Sequence, residues 1–252
     1  MSLIIDAGHG GKDPGALGNG IVEKDMVLNI SLYQFNRFKE LGVPVKLTRS
    51  SDVTLDSNTR ADIVKRSGMK HCISNHINAG GGDGAEAIYS IYASDKLATM
   101  ILDELANVGQ NKRRAFTRKN SSGGDYYFMH RLTGNVETVI VEYGFLDSKK
   151  DDIMQLKNNW KVYAEAVVKA YCAYAGYKYT PPNAPKPTTP IKKEDRGRFS
   201  DVPKTHVYYK EIERVFSEGL MGGYGDGRFG AGDPVTRGQL AVILTRLLEA
   251  KE

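Results

Sequence analysis

The sequence predicts an α/β fold, with a mainly parallel or mixed sheet flanked by helices, followed by a small mostly helical C-terminal domain. Three observations carry this expectation. Short apolar runs alternate, over residues 1–178, with longer stretches whose apolar residues recur at helical spacing. Five prolines crowd into residues 181–190, a density that no packed helix or inner strand accepts. Beyond them, two short helical patterns bracket a loop dense in glycine. The expected domains are therefore 1–178, a proline-rich linker over 179–198, and 199–252.

Each element follows from its residues. Leu3-Ile4-Ile5-Asp6 is a short apolar strand running into a Gly/His loop. Residues 27–41 place Leu28, Leu32, Phe35 and Phe38 on related faces of a helix. Residues 43–48 and 71–76 are strand-like, with a helix expected over 59–67 between them. Residues 85–92, rich in Ile and Tyr, continue the sheet, and 97–108 is helical. The polar, basic and Gly/Ser-rich stretch 111–125 is expected to be a solvated loop. Thr138-Val139-Ile140-Val141-Glu142 is the most β-prone run in the chain, and a helix over 160–175 closes the domain. In the tail, helices are expected over 209–218 and 240–248, with Pro234 marking a helix start.

Composition narrows the function classes. At 252 residues, 40% hydrophobic and 26% charged, the chain has an ordinary globular make-up, and no segment approaches the length of a membrane helix. The net charge of +5 draws the protein towards anionic polymers. No nucleic-acid motif accompanies it, so the charge reads as mild help toward an acidic surface, a wall polysaccharide or teichoic acid among them, and not as a nucleic-acid signal. Cys72 and Cys172 lie far apart and form no C-x-x-C pair, so no disulfide is expected. The N-terminus shows no basic start or long apolar core. The expectation is a chain that stays cytoplasmic until release, or one whose leader has been removed.

Candidate chemistry gathers at strand ends. His9 follows the first strand in Asp6-Ala7-Gly8-His9-Gly10-Gly11. Glu23 opens the first helix, and His76 ends a later strand in Ser74-Asn75-His76-Ile77-Asn78. Two imidazoles and a carboxylate suit a catalytic zinc, which keeps a fourth position open. Glu142 ends the β-prone run, where a carboxylate is well placed as a general base. Glu86, next to an Asp83-Gly84 turn, is the competing carboxylate. Arg60 is a candidate for holding a peptide carboxylate, or equally for a helix-surface salt bridge. His71, His130 and His206 lack matching contexts.

These motifs, in this order, resemble the zinc-dependent N-acetylmuramoyl-L-alanine amidases of the Amidase_3 type. The resemblance rests on Asp-x-Gly-His-Gly-Gly at 6–11, Glu23 before an amphipathic helix, Ser-x-His-x-Asn-Ala at 74–79 and Glu-x-Gly-Phe-Leu at 142–146. Leu47-Thr48-Arg49 and residues 55–60 also look like that family. Asn75, Ile77 and Tyr143 differ from the family's common choices. The resemblance implies His9, Glu23 and His76 as Zn2+ ligands and Glu142 as the catalytic carboxylate. The implied reaction cuts the bond between the lactyl group of N-acetylmuramic acid and L-alanine in peptidoglycan. A zinc peptidase cutting within the stem peptide and an inert wall-binding protein are the rival readings.

The tail resembles one S-layer homology (SLH) repeat. It has Phe199-Ser200-Asp201-Val202, a helix, Gly223-Tyr224-Gly225-Asp226-Gly227-Arg228-Phe229, then Pro234-Val235-Thr236-Arg237 before a second helix. Such modules generally bind secondary cell-wall polysaccharides, which makes Arg237 a candidate ligand-binding residue. The alternative is a small helical domain that adds stability or mediates oligomerisation. Together the two parts imply a modular wall hydrolase, and the lack of a visible leader fits a phage-type endolysin.

Overall fold

A computed structural model of the chain describes residues 1–150, 152–182, 197–224, 227–231, 235 and 237–249. The chain divides into two compact units, Met1–Pro182 and Asn183–Glu252.

The first unit begins with β1 (Leu3–Ala7), a small hairpin of β2 (Leu17–Gly18) and β3 (Ile21–Val22), and helix α1 (Glu23–Glu40). Then come β4 (Val45–Leu47), α2 (Ser57–Arg66), β5 (His71–Asn78), β6 (Ala85–Tyr89) and α3 (Lys96–Asn107). It ends with β7 (Lys112–Phe116), α4 (Phe128–Arg131), β8 (Glu137–Phe145) and α5 (Asp152–Ala175). Six strands form one sheet in the order β4-β1-β5-β8-β6-β7. The first four are mutually parallel, β6 runs antiparallel to β8, and β7 runs parallel to β6. This is the mixed, mostly parallel sheet that the alternating pattern predicts.

Side-chain alternation assigns the two faces. Leu3, Ile5, Ile73, Val139 and Val141 pack with residues of α1, α3 and α5 in the larger core. Ile4, Cys72, Ile88 and Ile140 point the other way, to Val64 of α2 and Met129 of α4. By the same alternation Asp6, Ser74, His76, Glu86 and Glu142 share the α2/α4 face. The carboxyl ends of β1, β5 and β8 meet the start of β6 at one edge of the sheet, the location where α/β sheets place their sites.

Helix α1 starts at Glu23, the residue expected to open it. Two elements depart from expectation. Helix α5 starts at Asp152 rather than 160, because buried Asp152 caps a junction: it accepts from the Gly84 and Phe145 amides and from Gln110 Nε2. The stretch 111–125 contains an edge strand, β7, where a solvated loop is expected. Its charged Lys112, Arg113 and Arg114 are exposed, as befits an edge, while Ala115 and Phe116 pack inward.

Cys72 and Cys172 are free and buried. His71 is bonded to the Tyr171 hydroxyl at 3.0 Å. His130 is buried near Asp125, so both histidines serve packing rather than a site.

In the second unit, Phe199, Val202 and Ile212 form a small core with Phe216 and Phe229. Helix α6 (Tyr209–Ser217) packs in it, and Asp201 accepts from the Phe229 and Gly230 amides, closing the glycine-rich loop. Helix α7 (Arg237–Glu249) follows, tied back by Arg246 Nη1 to the Leu220 carbonyl at 3.2 Å.

Candidate metal centre and active site

The sheet edge brings three potential ligands together. His9, Glu23 and His76 each offer an atom, and these atoms all lie within 4.8 Å of one another. Glu23 Oε1 is the hub: His9 Nε2 and His76 Nδ1 each lie 3.1 Å from it. The two imidazoles meet edge to face, with centroids 4.9 Å apart. This donor set and its convergence fit a catalytic zinc.

Each ligand is held from behind. His9 sits at φ +57°, a conformation that costs a non-glycine residue energy and persists only where its surroundings impose it. Asp13 holds His9 Nδ1 at 2.8 Å, which leaves Nε2 to face the centre. Arg49 donates to the carbonyls of Ala7, Gly8 and Lys24 and so ties the His9 loop to the start of α1. Glu23 accepts from the Ala16 and Ile77 amides at 2.7 and 2.9 Å. Gly15, at φ +66°, lies so close to Glu23 and His9 that a Cβ there would collide with both.

Electrostatics follow from this packing. Burial acts to raise the Glu23 carboxyl, but hydrogen bonds and charge from His76 and His9 outweigh it and hold it well below the ordinary range. Burial acts to lower the His9 imidazole, and Glu23 and Asp13 reverse this and raise it. The lowered Glu23 carboxyl favours a cation at the centre, whereas His9 must release its proton to ligate a metal.

Glu142 lies beside this cluster, opposite His76 on β5 and Glu86 on β6. Burial pushes its carboxyl up to about 8, with the charges of Glu23 and Glu86 adding to the effect. Its Oε2 is buried with no hydrogen-bond partner among the described residues. Glu86 is buried too, but it is fully compensated. Asn78 Nδ2 donates to Oε2 at 3.1 Å, while the Nε atoms of Arg113 and Arg114 lie 2.7 and 2.9 Å from Oε1. Two neighbouring carboxylates thus have opposite environments, one without a partner at Oε2 and one with cationic and amide partners.

Arg60 is buried rather than on a helix surface. Its Nε and Nη2 grip Asp6 at 3.1 and 2.8 Å, and Nη2 lies 3.4 Å from His76 Nε2. Thr48 and Ser74 also donate to Asp6. On the opposite face of the sheet a closed ring of hydrogen bonds lies beneath the site. Gln34 Nε2 donates to the Tyr143 hydroxyl at 2.7 Å, which donates to Asn75 Oδ1 at 2.9 Å, whose Nδ2 donates to Gln34 Oε1 at 2.8 Å. All three residues are buried.

Sequence reasoning names His9, Glu23, His76, Glu142, Glu86 and Arg60, and the structure gathers all six at this edge. It misses Asp13, whose only signal is a carboxylate four residues after His9 in a loop. It also misses Arg113 and Arg114, hidden in what reads as a polar loop. Thr236 and the side chain of Arg237 lie outside the described residues, as does most of the linker.

Residues 3–173 match the family model described as N-acetylmuramoyl-L-alanine amidase, and residues 198–241 match the S-layer homology domain. The endolysin of Bacillus phage SPP1 is 42% identical over 171 residues, covering 64% of this chain and 61% of that protein. The sporulation-specific N-acetylmuramoyl-L-alanine amidase of Bacillus subtilis is 29% identical over 155 residues, covering 60% of this chain and 58% of its own. The chain thus spans less than two thirds of either relative. Among solved structures, the catalytic domain of the amidase CwlV from Bacillus (Paenibacillus) polymyxa aligns with a TM-score of 0.63 at 26% identity. That alignment covers 71% of this chain and 100% of the other.

Proposed function

The chain belongs to the N-acetylmuramoyl-L-alanine amidase family, and from this we propose that it hydrolyses peptidoglycan at the amide joining the muramyl lactyl group to L-alanine. The observation that carries the proposal is the convergence of His9, Glu23 and His76 beside Glu142, whose Oε2 is buried without a hydrogen-bond partner among the described residues.

His9, Glu23 and His76 would hold the zinc on which this family depends. When bound, zinc supplies Lewis-acid chemistry, acidifying water and drawing charge from a carbonyl. Asp13 fixes the His9 ring, and the Ala16 and Ile77 amides fix Glu23, so the ligand set needs little reorganisation to bind. Glu142 moves the proton. Glu142 would start ionised, its raised proton affinity offset by the charge of a metal held there. As water oxygen bonds to the lactyl carbonyl carbon, Glu142 takes the water's proton. As the C–N bond breaks, Glu142 passes that proton to the departing nitrogen of L-alanine.

We assign 1–178 to catalysis, 179–198 to a spacer and 199–252 to wall attachment, with a secondary wall polysaccharide as the ligand of the SLH domain and Arg237 as one of its contacts. The phage endolysin relative supports a role in lysis at the bacterial wall.

Mass spectrometry of purified Gram-positive peptidoglycan digested in the presence of zinc tests this reading. Free stem peptides beginning with L-alanine, together with peptide-free glycan strands, are the expected products. New termini inside the stem would instead identify a peptidase using the same centre. Bound protein with no new termini would identify a wall-binding protein.

A further inference from the structure

The β6–β7 pairing is irregular. Ala85 pairs with Lys112 but Glu86 pairs with Arg114, so Arg113 is an extra residue bulged between them. A bulge re-aims side chains, and here it turns two consecutive arginines onto one carboxylate instead of onto opposite faces. Both use Nε alone on Glu86 Oε1, at 2.7 and 2.9 Å. Each guanidinium is further braced by a ring, Arg113 over Phe145 at 5.1 Å and Arg114 over Phe116 at 4.1 Å. The side chains remain 41% and 56% exposed, and among the described residues neither guanidinium has another hydrogen-bond acceptor.

Two positive charges held against one negative leave a surplus. The pair presents Nη groups, pre-oriented and partly exposed, on the edge strand beyond Glu86, two strands from Glu142. Such forks match the geometry of a carboxylate. Glu86 sits directly opposite Glu142 on the adjacent strand, a spacing of about 5 Å that an extended peptide crosses in one or two residues. We propose that Arg113 and Arg114 form a subsite that binds a free carboxylate of the stem peptide, close to the scissile bond. This rests on the amidase reading and deepens it, making the enzyme selective for acidic over amidated stems. The second stem residue, a γ-linked glutamate whose α-carboxyl is free or amidated in different walls, offers the nearest such group.

The test uses the zinc-loaded full chain and soluble muramyl-peptides that differ at one carboxyl. One carries the free carboxylate at the second residue, one its carboxamide, and one a carboxamide only at the third residue or C-terminus. The expected result is a loss of about ten- to a hundredfold in kcat/KM, mostly in KM, for one carboxamide, which identifies the residue bound. In Arg113→Gln the same ratio falls towards one. Equal kcat/KM for all three substrates overturns the subsite while leaving the amidase standing. No cleavage of any of them overturns the amidase reading and the subsite with it. The comparison on unaltered protein decides the matter even if Arg113→Gln does not fold.

Discussion

Glu142 and Glu86 face each other across one rung of the sheet, and their different surroundings give them different chemistry. Glu86 has three polar contacts, from Asn78, Arg113 and Arg114, whereas Glu142 has an oxygen with no partner among the described residues. Glu142→Gln keeps the shape and removes the proton acceptor. We expect its turnover to fall by about a thousandfold with zinc content unchanged, measured by single-substrate kinetics and metal analysis. Unaltered turnover would remove Glu142 from the mechanism. The same substitution has a pH signature in metal-free protein. The Glu142 carboxyl is raised from its ordinary 4.5 to about 8, so between these values the folded state keeps a proton that the unfolded state has released. Stability therefore falls as pH rises through that window and levels off above it. Glu142→Gln lacks this loss, so its melting temperature should exceed that of the parent by about 5 °C or more at pH 9 and converge with it near pH 4. A constant difference across the range would contradict the raised proton affinity.

At the scale of elements, the hydrogen-bonded ring of Gln34, Asn75 and Tyr143 joins α1, β5 and β8. Those are the three elements that carry Glu23, His76 and Glu142, and Asn75 and Tyr143 are the sequence neighbours of the last two. A ring in which every donor and acceptor is matched fixes strand against helix more sharply than apolar packing does. Tyr143→Phe leaves Gln34 Nε2 and Asn75 Oδ1 without their ring partner. It should cost about 1–3 kcal/mol in denaturant unfolding, with turnover reduced while zinc is still bound. Loss of neither would make the ring incidental to the site. The ring also shows where sequence reading stops. Strands β1, β5 and β8 are legible because consecutive apolar residues are buried on both faces, and the ligands fall at their ends. Asn75 and Tyr143 look like mere departures from a family pattern, because their pairing is set by sheet order and not by spacing along the chain. Strand β7 is hidden for a related reason: its arginines obey a bulge and a buried carboxylate on β6, which no period of two reveals. The early start of α5 depends likewise on amides from distant segments meeting Asp152.

At the scale of the whole molecule, the proposed substrate is an insoluble polymer, and the two units meet different demands. The first unit has its own core and contains every proposed catalytic group, while the second has a separate small core around Phe199. A catalytic unit acting on a fixed surface gains from attachment, because a tether raises its local concentration without altering the chemistry. Removal of residues 197–252 should thus leave kcat and KM on a soluble muramyl-peptide unchanged within about twofold, since no proposed catalytic group is lost. On intact Gram-positive walls the shortened chain should sediment less with the wall and solubilise it more slowly, by about tenfold at low enzyme concentration, the gap closing as enzyme is added. That convergence separates attachment from catalysis: a gap persisting at saturating enzyme would mean that the tail contributes to turnover itself. Equal wall binding by the full and shortened chains would place attachment in the first unit.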